Sequence, residues 1–247
     1  MAIKTYLNYS PNFDPIKRKT NQIKFIIFHY TGMKSESAAI KRLTNIKSKV
    51  SSHYLIKNNG QIIKLVPDLY ISWHAGRSSW KNYISLNNNS IGIEITNPGH
   101  SFDYKKFSKS QILSLIKLSR SLIKKYKINS KNILGHSDIA PERKKDPGEK
   151  FPWRHLSKKK IGFWHKLDQK RLFKNRDLKT DDLKEKLFYK NLFKIGYSKK
   201  IPKNSNIKKI KYMKIITKAF QRRFRPELIN GKIDQECFII SKNLVKN

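Results

Sequence analysis

Cysteine is almost absent from this chain. A single residue, Cys237, excludes an internal disulfide and any cysteine-rich metal site. Acidic residues are also scarce, 17 against 55 Lys and Arg, which leaves a formal charge of +38. Such a charge attracts anionic partners over a distance that salt shortens. Nucleic acid, an anionic cell-wall polymer or a membrane surface would each qualify on charge. No helix-turn-helix, zinc-finger or aromatic-basic RNA motif accompanies it, so no specific nucleic-acid partner is expected. The joint abundance of Lys, Ile and Asn is also what biased codon usage produces. No apolar run approaches the ~20 residues of a membrane-spanning helix, so no membrane span is expected. The opening MAIKTYLNYSPNFDPIKRKTN lacks the apolar stretch and small-residue cleavage pattern of an export signal. Aromatic residues, in contrast, are plentiful: 4 Trp, 11 Tyr and 13 Phe argue for a packed chain.

The apolar pattern predicts particular elements. Residues 24–28 are nearly all apolar and predict a buried central strand. Residues 35–49 predict a helix holding Ala38, Ala39, Ile40 and Leu43. Residues 52–56 and 61–66 predict a hairpin, because Asn58-Asn59-Gly60 between them tolerates positive φ. Residues 90–96 alternate Ile91, Ile93 and Ile95 with Gly92, Glu94 and Thr96, a strand with two unlike faces. Ser108 and Gln111 form a capping box for a helix over 108–126, where Leu115, Ile116, Leu122 and Tyr126 recur at helical spacing. Residues 132–135 predict a short strand that delivers His136 at its end. This order predicts an α/β (α+β) fold, a central mixed sheet flanked by helices. Charge rises and periodicity fades over 158–180, which reads as a linker. Helical patterns over 182–194, over 205–224 and after Asp234 then predict a small three-helix domain. The expected division is 1–175 and 176–247.

Chemistry concentrates in Gly135 to Trp153, GHSDIAPERKKDPGEKFPW, with His136, Lys144 and Asp146. His29 ends the strand KFIIFHYT. Two imidazoles and one carboxylate suit one zinc ion and leave its fourth position open for water. Glu94 is the candidate general base, and the Lys144 ammonium is placed to steady an oxyanion. Together they read as metal-assisted amide or ester hydrolysis. Trp73 and His74, in SWHAGRSSW, and Tyr30 beside His29 are the expected substrate-binding residues. His53, alternating with Leu55, is expected to be a packed strand histidine.

The stretches FIIFHYT, VSSHYLIKNNGQIIKLVPD, SWHAGRSSW, LNNNSIGIEITN and GHSDIAPERKKDPGEKFPW together resemble the zinc-dependent N-acetylmuramoyl-L-alanine amidases. That group is related to phage lysozyme-like amidases and peptidoglycan recognition proteins. The resemblance implies zinc in a groove, ligated by His29, His136 and Asp146, with Glu94 as base and Lys144 stabilising the transition state. Relatives that only recognise peptidoglycan lose zinc ligands; all three are present here, so catalysis on peptidoglycan or muropeptides is expected rather than binding alone. ITKAFQRRFRPELINGKID resembles a three-helix peptidoglycan-binding domain. Family and substrate imply the cell envelope, while the N-terminus by itself suggests the cytoplasm. If the two parts are independent, a chain cut near Thr180 should keep cleavage of small muropeptides.

Overall fold

Phe25, Ile26, Ile27 and Phe28 are all fully buried. A strand apolar on both faces must lie inside a sheet, and this one does. The computed structural model describes residues 4–198 and 205–246. Among them the strands are β1 (Tyr6–Leu7), β2 (Phe13–Asp14), β3 (Phe25–Tyr30), β4 (Tyr54–Ile56), β5 (Ile62–Lys64), β6 (Ile71–Ser72), β7 (Ser79–Trp80), β8 (Tyr83–Ile84), β9 (Ser90–Ile95) and β10 (Ile133–Gly135). The helices are α1 (Glu36–Thr44), α2 (Lys109–Tyr126), α3 (His136–Ile139), α4 (Trp153–Lys158), α5 (Gln169–Phe173), α6 (Asp182–Ile195), α7 (Asn206–Phe224) and α8 (Gln235–Lys246).

Six strands form one mixed sheet in the order β1-β5-β4-β9-β3-β10. Only the β4–β5 hairpin is antiparallel; the other neighbours run parallel. At its turn Gly60 has φ +84°, and a Cβ there would lie 2.7 Å from the Ser110 carbonyl oxygen, so glycine alone fits. Alternation splits the apolar residues between the two faces. Ile26, Phe28, Ile91, Ile93 and Ile95 pack beneath Leu115, Leu118 and Leu122 of α2. The capping box forms as expected, with Gln111 N–H donating to Ser108 Oγ at 3.1 Å and Ser108 N–H to Gln111 Oε1 at 2.9 Å.

The other face carries Phe25, Ile27 and Leu134, and these share a single cluster with Phe188 and Leu192 of α6, Ile216, Phe220 and Phe224 of α7, and Ile240 of α8. The C-terminal helices are therefore the third layer of the sandwich. The Lys81 N–H donates to the Gly196 carbonyl at 2.7 Å, and the Trp80 and Tyr197 rings meet edge to face at 5.0 Å.

Two expectations need correction. The helix expected over 35–49 stops at Thr44, where Asn45 turns extended (φ −83°, ψ 123°). The N-terminal segment satisfies the carbonyls at this end, with Ser10 Oγ donating to Leu43 O at 2.5 Å and Asn12 Nδ2 to Asn45 O at 2.9 Å. The stretch read as a linker is packed. Its Ile161 and Leu172 are buried, α5 is capped by Asp168, and Arg176 binds Glu236 of α8 at 2.7 Å. Its few apolar anchors are spaced irregularly among charges, which hides them from any periodicity.

A shared core predicts one cooperative unfolding transition for the whole chain. Removal of residues beyond Thr180 should abolish cleavage of small muropeptides along with the fold, contrary to the sequence expectation. Phe220→Ala should destabilise all of it by about 3–5 kcal/mol. Two separate transitions in a calorimetric scan, with only one moved by Phe220→Ala, would contradict the shared core.

Candidate metal centre

The parallel ladder brings the ligand candidates together. Gly135 pairs with Phe28, so the next residues, His136 and His29, leave adjacent strands at the same level. Ser137 N–H then donates to Asp146 O at 2.8 Å and draws the Asp-Pro-Gly turn back onto them. His29 Nδ1, His136 Nδ1 and Asp146 Oδ2 form a triangle with edges of 2.9, 3.0 and 3.1 Å. The three residues are 1%, 3% and 6% exposed.

The surrounding hydrogen bonds fix which ring atoms carry protons. His136 Nε2 lies 3.1 Å from the Ala75 carbonyl oxygen, which can only accept, so Nε2 holds the hydrogen. The Arg143 guanidinium donates to that same oxygen. Ser90 Oγ donates to Leu86 O at 2.5 Å and so accepts from His74 Nε2 at 3.1 Å. His74 Nδ1 then accepts from His29 Nε2 at 3.0 Å. In the neutral rings, both Nδ1 atoms present bare lone pairs to each other and to the carboxylate. Three acceptors with no hydrogen between them repel unless a cation sits among them. In tetrahedral zinc with bonds of ~2.0–2.1 Å, ligand atoms stand roughly 3.3 Å apart, close to the edges of this triangle. The donor set fits zinc in number, type and spacing.

Burial, and next the field of His136, lowers the pKa of His29 to about 4, which keeps it neutral and able to ligate. Burial pushes the Asp146 carboxyl up, but His136 and His29 outweigh it and hold the group well below the usual carboxylate range.

The triangle forms the floor of a cavity of about 670 Å³, also lined by Tyr30, His74, Glu94, His100, Arg143 and Lys144. Glu94 pairs with His29 across β3 and β9, on the face opposite the isoleucines. Its Oε2 is buried without a partner. Burial first and Asp146 second raise its pKa to about 8, while Lys144 pulls it down. Tyr30 donates to or accepts from His100 Nδ1 at 2.9 Å at the rim. Trp73 does not line this cavity; its indole donates to Asp14 Oδ1 at 2.9 Å beside the β2–β6 ribbon. His74 stands behind His29, accepting its Nε2 hydrogen. A Cβ at Gly92 would lie 2.4 Å from the His74 ring, so glycine there makes room for it. His53 is fully buried away from the triangle, accepting from Gly92 N–H at 3.0 Å. Sequence reasoning missed Ser90, Gly92, Arg143 and the Ala75 carbonyl. The Ser90-X-Gly92 spacing on the polar face of its strand was the one available signal.

These shifts predict a stability maximum for the metal-free protein near pH 6.5. Burial lowers His29 and His165 to about 4, His53 to about 3, and His74 well below 6.5. Unfolded chains protonate these rings first, so stability falls as pH drops from 6.5 towards 4. Glu94, raised to about 8, acts in the other direction and gives a shallower loss from pH 6.5 up to 8. Thermal melts of chelator-treated protein across this range check the asymmetry; a melting temperature flat from 7 to 4.5 would contradict it.

Comparison with known proteins gives a consistent picture. Residues 19–149 match the family described as N-acetylmuramoyl-L-alanine amidase. The chain is 33% identical over 237 residues to N-acetylmuramoyl-L-alanine amidase AmiD of Escherichia coli, covering 91% of this chain and 83% of that protein. It is 40% identical over 105 residues to 1,6-anhydro-N-acetylmuramyl-L-alanine amidase AmpD of the same organism, covering 42% of this chain and 55% of the other. The solved complex of E. coli AmiD with anhydro-N-acetylmuramic acid-L-Ala-D-gamma-Glu-L-Lys superposes with a TM-score of 0.77 at 33% identity, over 91% of this chain and 89% of that one. AmpDh3 of Pseudomonas aeruginosa, in complex with anhydromuramic pentapeptide, gives a TM-score of 0.78 at 31% identity over 94% and 93% of the two chains. Both likenesses extend past residue 149 into the C-terminal helices.

Proposed function

The chain belongs to the N-acetylmuramoyl-L-alanine amidase family, and on that premise we propose that it is a zinc enzyme that hydrolyses the amide between the lactyl group of N-acetylmuramic acid and L-alanine. The observation that carries this reading is the buried triangle of two imidazole nitrogens and one carboxylate oxygen, turned towards a cavity with an unpartnered glutamate. His29, His136 and Asp146 would hold the ion. Zinc held there would supply Lewis acidity, to polarise a carbonyl and to lower the pKa of a water.

The chain's own groups do the rest. Glu94 takes the proton from water as its oxygen bonds to the carbonyl carbon. It then gives that proton to the departing alanine nitrogen as the C–N bond breaks. A base whose pKa lies near neutrality suits both transfers. Lys144 is half-buried on the cavity wall, where its ammonium faces charge building on the former carbonyl oxygen. Tyr30 at the rim contacts substrate. Peptidoglycan fragments of the kind bound by AmiD and AmpDh3 carry carboxylates, and a chain of charge +38 favours their approach. We assign residues 176–247 a peptidoglycan-binding role in addition to their packing role. Leu183 and Leu187 on α6 and Ile207 and Ile210 on α7, all exposed, suit it.

Digestion of purified wall and of anhydro-muropeptides, with products identified by mass, is expected to release the intact stem peptide. The reaction should stop with chelator and resume with zinc. His136→Ala and Asp146→Ala should lose both metal and activity. Glu94→Gln should retain zinc, lose roughly 10²–10⁴ in rate, and lose the rise of activity with pH that ionisation of the base produces. A metal-free variant with full activity would overturn the ligand set, and a near-normal rate in Glu94→Gln would remove Glu94 as base.

A further inference from the structure

The helix that carries His136 is anchored by a residue from the far end of the chain. Asp138, two positions after His136 on α3, is 1% exposed, and each of its oxygens is engaged. Its Oδ2 accepts the Gly135 N–H at 2.8 Å and the Arg223 guanidinium of α7. Its Oδ1 accepts the Tyr197 hydroxyl at 3.0 Å. Arg223 Nη2 also donates to Ile133 O at 3.1 Å, so one guanidinium ties the start of β10 to α3 across the residue that precedes the ligand. That guanidinium lies 3.9 Å from the Trp153 ring centroid and 4.5 Å from that of Phe163, which hold it in place.

A buried ion pair stabilises a fold little more than well-packed apolar residues would, so stability alone is a weak reason for this one. Direction is a better reason. His136 lies between Gly135, fixed through Asp138, and Ser137, fixed by Asp146 O. The preceding residue of α7, Arg222, reaches the opposite side of the cleft. Arg222 Nε lies 3.7 Å from Glu149 Oε2; Glu149 holds His100 Nε2 at 3.0 Å; and His100 Nδ1 meets the Tyr30 hydroxyl at 2.9 Å.

We propose that Arg223 is a positioning residue for the metal ligand His136, acting through Asp138, and that the C-terminal helices are thereby a working part of the metal centre rather than only an appended module. This rests on the metal reading given above. With Arg223 in place, α3 presents His136 Nδ1 at ligating distance from its two partners before any ion arrives. Without it, α3 turns about Gly135 and the ion has to organise the site itself, which weakens binding.

The test uses the full chain with Arg223→Lys, Asp138→Asn and Tyr197→Phe. Zinc affinity is measured by competition with a chromophoric chelator, and ligand geometry by the visible spectrum of the cobalt-substituted protein. Groups that orient metal ligands are worth about 10–100-fold in metal affinity, and that loss is expected for Arg223→Lys and Asp138→Asn, with an altered cobalt spectrum and an intact circular dichroism spectrum. If both folded variants keep the parent's zinc affinity and cobalt spectrum, Arg223 serves the fold only and the proposal is overturned. Should those two variants fail to fold, Tyr197→Phe, which removes one hydroxyl from Asp138, decides: weaker zinc binding supports the proposal and unchanged binding overturns it. A parent chain that takes up no zinc would instead refute the metal reading itself.

Discussion

Mutual repulsion among His29 Nδ1, His136 Nδ1 and Asp146 Oδ2 is the constraint on which the rest of the site depends. Three acceptor atoms within 3.1 Å of one another, all buried, are held there by the fold. Each is kept in place from behind: His136 by the Ala75 carbonyl, His29 by His74, and Asp146 by a turn whose carbonyl binds Ser137. The hydrogen-bond directions run outward, from the rings to carbonyls at the periphery, so bare lone pairs are left at the centre. That polarity is a property of the backbone as much as of the ligands. The carbonyls of Leu86 and Ala75 set the tautomers, and the parallel register of β3, β9 and β10 sets the positions.

Glu94 and Asp146 share one cavity in a chain with few acids, and their environments drive them apart. Asp146, facing two imidazoles, stays ionised. Glu94, buried with an orphaned oxygen and a negative neighbour, has its pKa raised to about 8. Two carboxyl groups tuned in opposite directions suit one to hold a cation and the other to carry a proton. Lys144 moderates the second without neutralising the first.

Much of this was legible in the sequence, for local reasons. The central strand, the capped helix α2 and the Asn-Gly hairpin follow from residues within a few positions of each other. The candidate triad and Glu94 came from the resemblance of five stretches to the amidase family, because single histidines at strand ends, one turn and one glutamate do not by their spacing single out a site. The roles of His74, Ser90 and Gly92 were not legible. His74 looked like a substrate-binding residue beside Trp73, yet it supports His29 from behind by accepting its Nε2 hydrogen, and that depends on its register against Gly92 on another strand. The C-terminal helices were visible as helices, but their apolar faces do not say what they cover. They cover the sheet face that carries the site, which is why Phe220 and Ile27 belong to one core. The 158–180 stretch misled because two buried apolar anchors, Ile161 and Leu172, among many lysines leave no period to detect.

X-ray absorption at the zinc edge of the reconstituted chain tests the central claim most directly. The account predicts one zinc ion in a four-coordinate shell of nitrogen and oxygen only, at ~2.0–2.1 Å, with the multiple-scattering signature of two imidazoles. A shell containing sulfur, a single imidazole, or six oxygens typical of an adventitious surface ion would contradict it.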